Sequence, residues 1–408
     1  MRWLVIPLLS ALSLLAYNNC GKNGFEKSLV RNESSTVIAG GLSQPLPIVG
    51  TEPNAVKITM GCGYINEPCV SVTICEPNTS NCQTIPNVLL DTGSYGLRLF
   101  SSVVSLNLST RVLGGGSLAE CVSYADGTSQ WGPIKSADVV LGQLKASNLA
   151  VHIIDSAFGT IPADCTNPDT APSAAGYNGI LGVGLFTEDC GPGCANTANN
   201  RIYFTCVGAT CSPTAVPVAQ QVSNPVPFLP ADNNGVVVQL PAIPSTGAPS
   251  LAGWMVLGVG TRSNNSPQSA NVLPTDRNGY IQTSFNGKSY SSSFIDSGSN
   301  GLFFPGSGAL SNCSTTGIAI GFFCPATPTK LTAVQIGKSG APQISVNFEV
   351  TNGEQALAIS NPNIIFNNIG GNFADSFDWG LPFYLGRTVF HGIDGKASSL
   401  GPGPYFAW

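Results

Sequence analysis

Leu89-Leu90-Asp91-Thr92-Gly93-Ser94-Tyr95-Gly96-Leu97 reappears about half a chain later as Phe294-Ile295-Asp296-Ser297-Gly298-Ser299-Asn300-Gly301-Leu302. Each copy reads two apolar residues, Asp, a hydroxyl residue, Gly, Ser, one variable residue, Gly and Leu. Asp, Ser, Thr and Gly all favour turns, so one copy alone would signal little more than a bend. Two copies with matched flanks predict two related lobes, each giving one carboxyl to a shared site. Carboxyls held side by side cannot both ionise easily, so one keeps its proton while the other gives it up. Such a pair is an acid and a base in one place, which is what attack of water on an amide requires.

The repeat extends outward from these turns. Gly179-Ile180-Leu181-Gly182 follows the first copy, and Phe377-Asp378-Trp379-Gly380 follows the second at a similar distance. Short β-prone runs recur between turn signals, among them Cys69-Val70-Ser71-Val72-Thr73-Ile74, Gly235-Val236-Val237-Val238-Gln239-Leu240 and Ile344-Ser345-Val346-Asn347-Phe348. With 47 Gly and 30 Pro in 408 residues, long helices are disfavoured. The expected fold class is all-β, two β-barrel-like lobes with a cleft between them. The expected division is a first lobe over 55–212, a Pro-rich connection over 213–234 and a second lobe over 235–408.

Charge narrows the function classes. Charged residues are 10% of the chain, the net charge is −5, and no basic run could track a phosphate backbone. A nucleic-acid partner is not expected. The 22 Asp and Glu residues limit the charge gained in acid, so self-repulsion stays modest there. No Gly-x-Ser-x-Gly elbow is present, and two His residues offer little material for a serine-type triad.

The N-terminus reads as an export signal: Met1-Arg2 is positive, and Trp3 to Ala16 is an apolar run too short to span a membrane well. Residues 1–20 are expected to be a signal peptide and 21–54 a polar tether. Cys20 stands where a bacterial lipoprotein would be acylated, although Tyr17-Asn18-Asn19 is not the usual small-residue flank. Both a Cys20-anchored lipoprotein of the envelope or periplasm and plain secretion fit. Setting Cys20 aside from the 13 Cys leaves an even number. Proximity pairs Cys62/Cys69, Cys75/Cys82, Cys190/Cys194, Cys206/Cys211 and Cys313/Cys324, which leaves Cys121 with Cys165. CxxC spacing is absent and both His lie far from any Cys pair, so no metal site is expected.

These motifs resemble the pepsin-like aspartic peptidases, in motif order, from about residue 55 to the C-terminus. The resemblance implies that Asp91 and Asp296 are the catalytic pair. By the same likeness Thr92 and Ser297 lock the two turns together, Ser94 and Ser299 bond an outer carboxylate oxygen, and Gly93 and Gly298 donate backbone N–H groups. Cys121-Val122-Ser123-Tyr124-Ala125-Asp126-Gly127-Thr128 resembles the family's flap, a hairpin that closes over substrate. Tyr124, Ala125, Asp126 and Gly127 are therefore flap and substrate-binding candidates, and Asp126-Gly127 is a strong hairpin turn signal. Arg98 stands where the family often has the Trp that bonds the flap Tyr, and it reads as a surface strand residue. Trp379-Gly380 replaces a commoner aliphatic pair.

The resemblance implies an exported aspartic endopeptidase of divergent bacterial type, working as a monomer, best in acid, on a polypeptide bound extended in the cleft. It implies no cofactor. Two other readings fit the same residues: a catalytically silent binding module and a structural envelope lipoprotein.

Overall fold

The computed structural model describes residues 52–267, 270–306, 310–358 and 360–408. The expected signal peptide, Cys20 and nearly all of the tether lie outside the described residues. The chain is all-β and bilobal, with barrel-like lobes. Its few helices are single turns of four or five residues, as in Pro172–Ala175 and Leu381–Tyr384. Frequent Gly and Pro explain this, since both interrupt the hydrogen-bond ladder of a longer helix.

Each lobe places its Asp in the same three-strand arrangement. In the first, Cys82–Asp91 runs parallel to Gly179–Val183, with Leu89 opposite Ile180 and Asp91 opposite Gly182. The strand leaving the turn, Tyr95–Phe100, returns antiparallel on the other side of Gly179–Val183. In the second, Lys288–Ile295 runs parallel to Asp378–Trp379, with Phe294 opposite Asp378. Leu302–Phe304 then returns antiparallel to Asp378–Trp379. The glycine that ends each Gly179–Gly182 or Phe377–Gly380 motif lies directly beneath the turn. A Cβ on Gly182 would meet Tyr95 N at 2.5 Å, and one on Gly380 would meet Gly301 O at 2.0 Å. Only a residue without a side chain allows the strand to pass there.

A shared antiparallel floor joins the halves. Its strands run Ala55–Met60, Ala252–Leu257, Gly235–Leu240, Arg387–Gly392, Tyr405–Ala407 and Val272–Pro274 in spatial order. Gly235–Leu240 is buried at every position, as its Val236-Val237-Val238 run requires, and buries the polar Gln239 with it. Fully burying each Val or Leu there contributes about 1.5–3 kcal/mol. The second lobe is filled by aromatic rings. Trp379 stacks on Phe377 at 4.3 Å and meets Phe348 edge-on at 5.6 Å, and its indole N–H donates to Thr283 Oγ1 at 3.1 Å. This packing accounts for a large ring where an aliphatic pair was expected.

The five close cysteine pairs and the remaining one are all joined: Cys62–Cys69, Cys75–Cys82, Cys121–Cys165, Cys190–Cys194, Cys206–Cys211 and Cys313–Cys324. Such a density of disulfides belongs to an oxidising compartment.

Candidate active site

Asp91 ends its strand and Asp296 directly follows its own, both fully buried at 0% exposure. Both carboxyls are held in the same way. Asp91 Oδ1 accepts the Gly93 N–H at 2.8 Å and Oδ2 accepts the Ser94 hydroxyl at 2.5 Å. Asp296 Oδ1 accepts the Gly298 N–H at 2.8 Å and Oδ2 accepts the Ser299 hydroxyl at 2.9 Å. Each side chain is thus fixed by its own turn, which removes the rotamer freedom a free carboxyl would have.

The turns are locked across the lobe boundary. Thr92 N donates to Ser297 Oγ at 3.2 Å, and Ser297 N donates to Thr92 Oγ1 at 2.9 Å. Ser297 Oγ donates onward to Leu90 O at 2.8 Å. Thr92 Oγ1 instead bonds Tyr384 OH at 2.8 Å, and that hydroxyl bonds His391 Nε2 at 3.1 Å. Gly93 leaves no room for a side chain at the lobe boundary, since a Cβ there would lie 2.6 Å from Asp296 Cγ.

Burial first, and then the neighbouring Asp91 and Asp378 charges, push the Asp296 carboxyl well above the usual carboxylate range. Its hydrogen bond with Asp91 acts in the same direction, while the Gly298 N–H opposes it. The pair therefore retains a proton at pH values where an exposed Asp has lost its own.

The strand Gly116–Ser123 turns through Tyr124–Thr128 into Ser129–Leu141. Gly127 takes the left-handed φ of +85°, and Asp126 Oδ1 accepts the Thr128 N–H at 2.9 Å. Ala125 and Gly127 are exposed at the tip. Tyr124 is buried against Leu89, Phe100, Ile154 and Ile180, and its hydroxyl donates to Gln130 Oε1 at 2.7 Å. Gln130, on the returning strand, thus ties down the Tyr124 hydroxyl.

Arg98 corrects an expectation. It is fully buried, not on the surface. Its Nη2 contacts Glu120 Oε1 at 2.9 Å and Asp189 Oδ2 at 3.0 Å, and its Nη1 donates to Tyr95 O at 2.5 Å. The guanidinium thus braces the exit of the Asp91 turn from behind. Burial pushes Asp189 well above the usual range, helped by the Glu120 charge. Glu120 is itself buried, but the Arg98 guanidinium holds its carboxyl below the usual range.

Sequence reasoning missed two more residues beside the pair. Asp378 lies within hydrogen-bond reach of Ser299, 2.6 Å from Oδ2 to Oγ. Tyr384 closes the Thr92 network from the helical turn Leu381–Tyr384. Superposing the two repeats would have found Asp378, because it stands where the first lobe has Ile180.

Over residues 50–408 the chain matches the family described as "Protein of unknown function (DUF3443)". The chain belongs to that family. No curated protein matches it. Among solved structures, the aspartic proteinase from Irpex lacteus is similar at a TM-score of 0.49 and 15% identity, over 86% of this chain and 96% of that one.

Proposed function

We propose that this DUF3443 chain is an aspartic endopeptidase. The observation that carries the reading is the reciprocal Thr92–Ser297 lock, which holds two buried, hydroxyl-braced carboxyls against one another where the lobes meet. Asp91 and Asp296 would share one proton and one water. The ionised carboxyl takes a proton from the water as it attacks the scissile carbonyl, and the protonated carboxyl donates to the carbonyl oxygen. A tetrahedral diol forms with no covalent enzyme intermediate. Its collapse sends a proton to the leaving amine and restores the pair.

In this reading Ser94, Ser299, Gly93 and Gly298 keep each carboxylate in one orientation. The hairpin around Tyr124–Gly127 covers a substrate that pairs its backbone as an added strand. The protein would be exported, by the signal read in residues 1–20 and in keeping with its six disulfides, with Cys20 as the candidate lipid anchor.

Digestion of a peptide mixture by residues 21–408 between pH 3 and 7, beside Asp296→Asn, tests the proposal. Cleavage by the wild type alone is expected. Equal cleavage by both chains, or none by a folded wild type, would overturn it, and the second outcome would favour a binding module.

A further inference from the structure

The duplicated architecture breaks at one position next to the pair. Beneath the first turn the parallel strand carries Ile180 opposite Leu89, and beneath the second it carries Asp378 opposite Phe294. Ile180 is 0% exposed and Asp378 is 4% exposed. Ser94 Oγ meets Asp91 Oδ2 and no second carboxyl among the described residues. Its counterpart Ser299 Oγ lies between two carboxyls, 2.9 Å from Asp296 Oδ2 and 2.6 Å from Asp378 Oδ2.

A hydroxyl has one hydrogen. Were both carboxyls ionised, one of those contacts would set two acceptors together with no proton between them. The geometry closes when Asp378 is neutral. Its Oδ2–H then donates to Ser299 Oγ, and Ser299 donates its own hydrogen to Asp296 Oδ2. A proton on Asp296 would close it too, but would leave Asp378 ionised with Oδ1 buried and without a hydrogen-bond partner among the described residues. An ionised carboxylate left in that state costs far more than a neutral one. The titratable groups facing Asp378 are all acids: Asp296 through Ser299, Asp91 across the lobe boundary, and Tyr384 from the helical turn. Its strand partners Phe294 and Phe303 carry no charge. Burial pushes Asp378 well above the usual range, with the Asp91 charge in support and the Ser299 hydrogen bond opposing.

We propose that Asp378 is a neutral carboxylic acid that positions Ser299 and makes the pair unequal, giving Asp296 a polarised hydrogen bond that Asp91 lacks. A donor that is itself accepting a hydrogen bond donates more strongly, so the relay favours the ionised form of Asp296. When Asp378 ionises it takes the Ser299 hydrogen for itself, and the pair loses that support. Asp378 is a positioning residue. Its effect on turnover rests on the peptidase reading, while its protonation does not.

The test uses both halves. Asp carboxyl carbons labelled with 13C are followed by NMR in the wild type, D378N and D296N while pH rises from 4 to 8. Besides the signal of the Asp91–Asp296 pair, a further carboxyl signal is expected to keep its protonated shift beyond the range of exposed Asp, to persist in D296N and to vanish in D378N. If D378N instead removes a signal that titrates with the exposed Asp residues, the proposal is overturned whatever the turnover. Kinetics then read the consequence. D378N keeps a neutral donor to Ser299, so turnover in acid should stay within about threefold of wild type, and the alkaline limb should lose one of two proton dependences. D378I copies the first lobe and removes the donor, so the acid limb should also move up by about 0.3 unit. Unchanged pH profiles in both variants, in an active enzyme, would overturn the positioning role. Absence of turnover in every chain, with the NMR result as expected, would overturn the peptidase reading and leave the protonation of Asp378 standing.

Discussion

Thr92 and Ser297 exchange backbone-to-hydroxyl hydrogen bonds at 3.2 and 2.9 Å although 205 residues separate them in the chain. The two lobes meet through this contact at the site, so its energetics set how well the carboxyls stay aligned. Ser297→Ala would leave the Thr92 N–H and the Leu90 carbonyl without their hydroxyl partner in a buried place. A loss of about 2–3 kcal/mol is expected from two such orphans. Denaturant titration measures it, and a loss below 0.5 kcal/mol would show that the lobes are held by other contacts. Thr92→Val keeps the branched shape but strips the hydroxyl from Ser297 N and Tyr384, and should cost a similar amount.

Gly182 and Gly380 should tolerate no side chain. Alanine at either position drives a Cβ into backbone atoms of the Asp turn, at 2.5 Å for Gly182 and 2.0 Å for Gly380. Backbone cannot swing aside as a flexible side chain can. Destabilisation of about 3 kcal/mol or more is expected for each. Thermal unfolding of G182A and G380A checks it, and a Tm within two degrees of wild type would mean that the turn moves freely.

Arg98 carries two buried acids, Glu120 and Asp189. Replacing it by Leu leaves uncompensated buried charge, which costs about 3–5 kcal/mol. Lysine keeps the charge but cannot reach Glu120, Asp189 and the Tyr95 carbonyl together, so R98K should also be measurably weaker. Equal stability of R98K and wild type would contradict the bracing role.

Burial lowers the two histidines, His391 to about 3 and His152 to about 4. An unfolded His titrates near 6.5. Below that pH the unfolded chain gains protons that the folded chain refuses, so these groups make stability fall as pH drops from 6.5 toward 4 and 3. Asp296 and Asp378 act with the opposite sign: their raised values give stability that is full in acid and lost as pH rises above the unfolded Asp range. In His391→Phe one of the two histidine penalties disappears. The stability gap between wild type and H391F should therefore move in favour of H391F by about 1.4 kcal/mol per pH unit between 6.5 and 4.5. A gap that is constant with pH would show that His391 is charged in the folded protein.

What could be read from the sequence is whatever lies within a few residues of itself. The Asp turns, the Asp126-Gly127 bend and the close cysteine pairs are local patterns, and the repeat of the turns implied two lobes. Arg98 was misread for the opposite reason. A lone charged residue reads as surface unless its partners are known, and Glu120 and Asp189 lie 22 and 91 residues away. Asp378 hid for a related reason: it sits inside a motif recognised by its final Gly, where the preceding residues draw attention only as apolar fill. Tyr384 and His391 needed the three-dimensional meeting of a helical turn with the floor strand Arg387–Gly392 before their link to Thr92 existed.

The shared floor orders events in time. Its strand Ala55–Met60 is made early, yet its neighbour Ala252–Leu257 arrives almost two hundred residues later, and Tyr405–Ala407 is among the last residues of the sequence. Pairings this distant in sequence close slowly, because loop closure must precede any contact they reward. A growing or partly threaded chain therefore holds Asp91 with nothing opposite it. The second carboxyl arrives only with residue 296, so whatever chemistry the pair performs is withheld until the second lobe has been made.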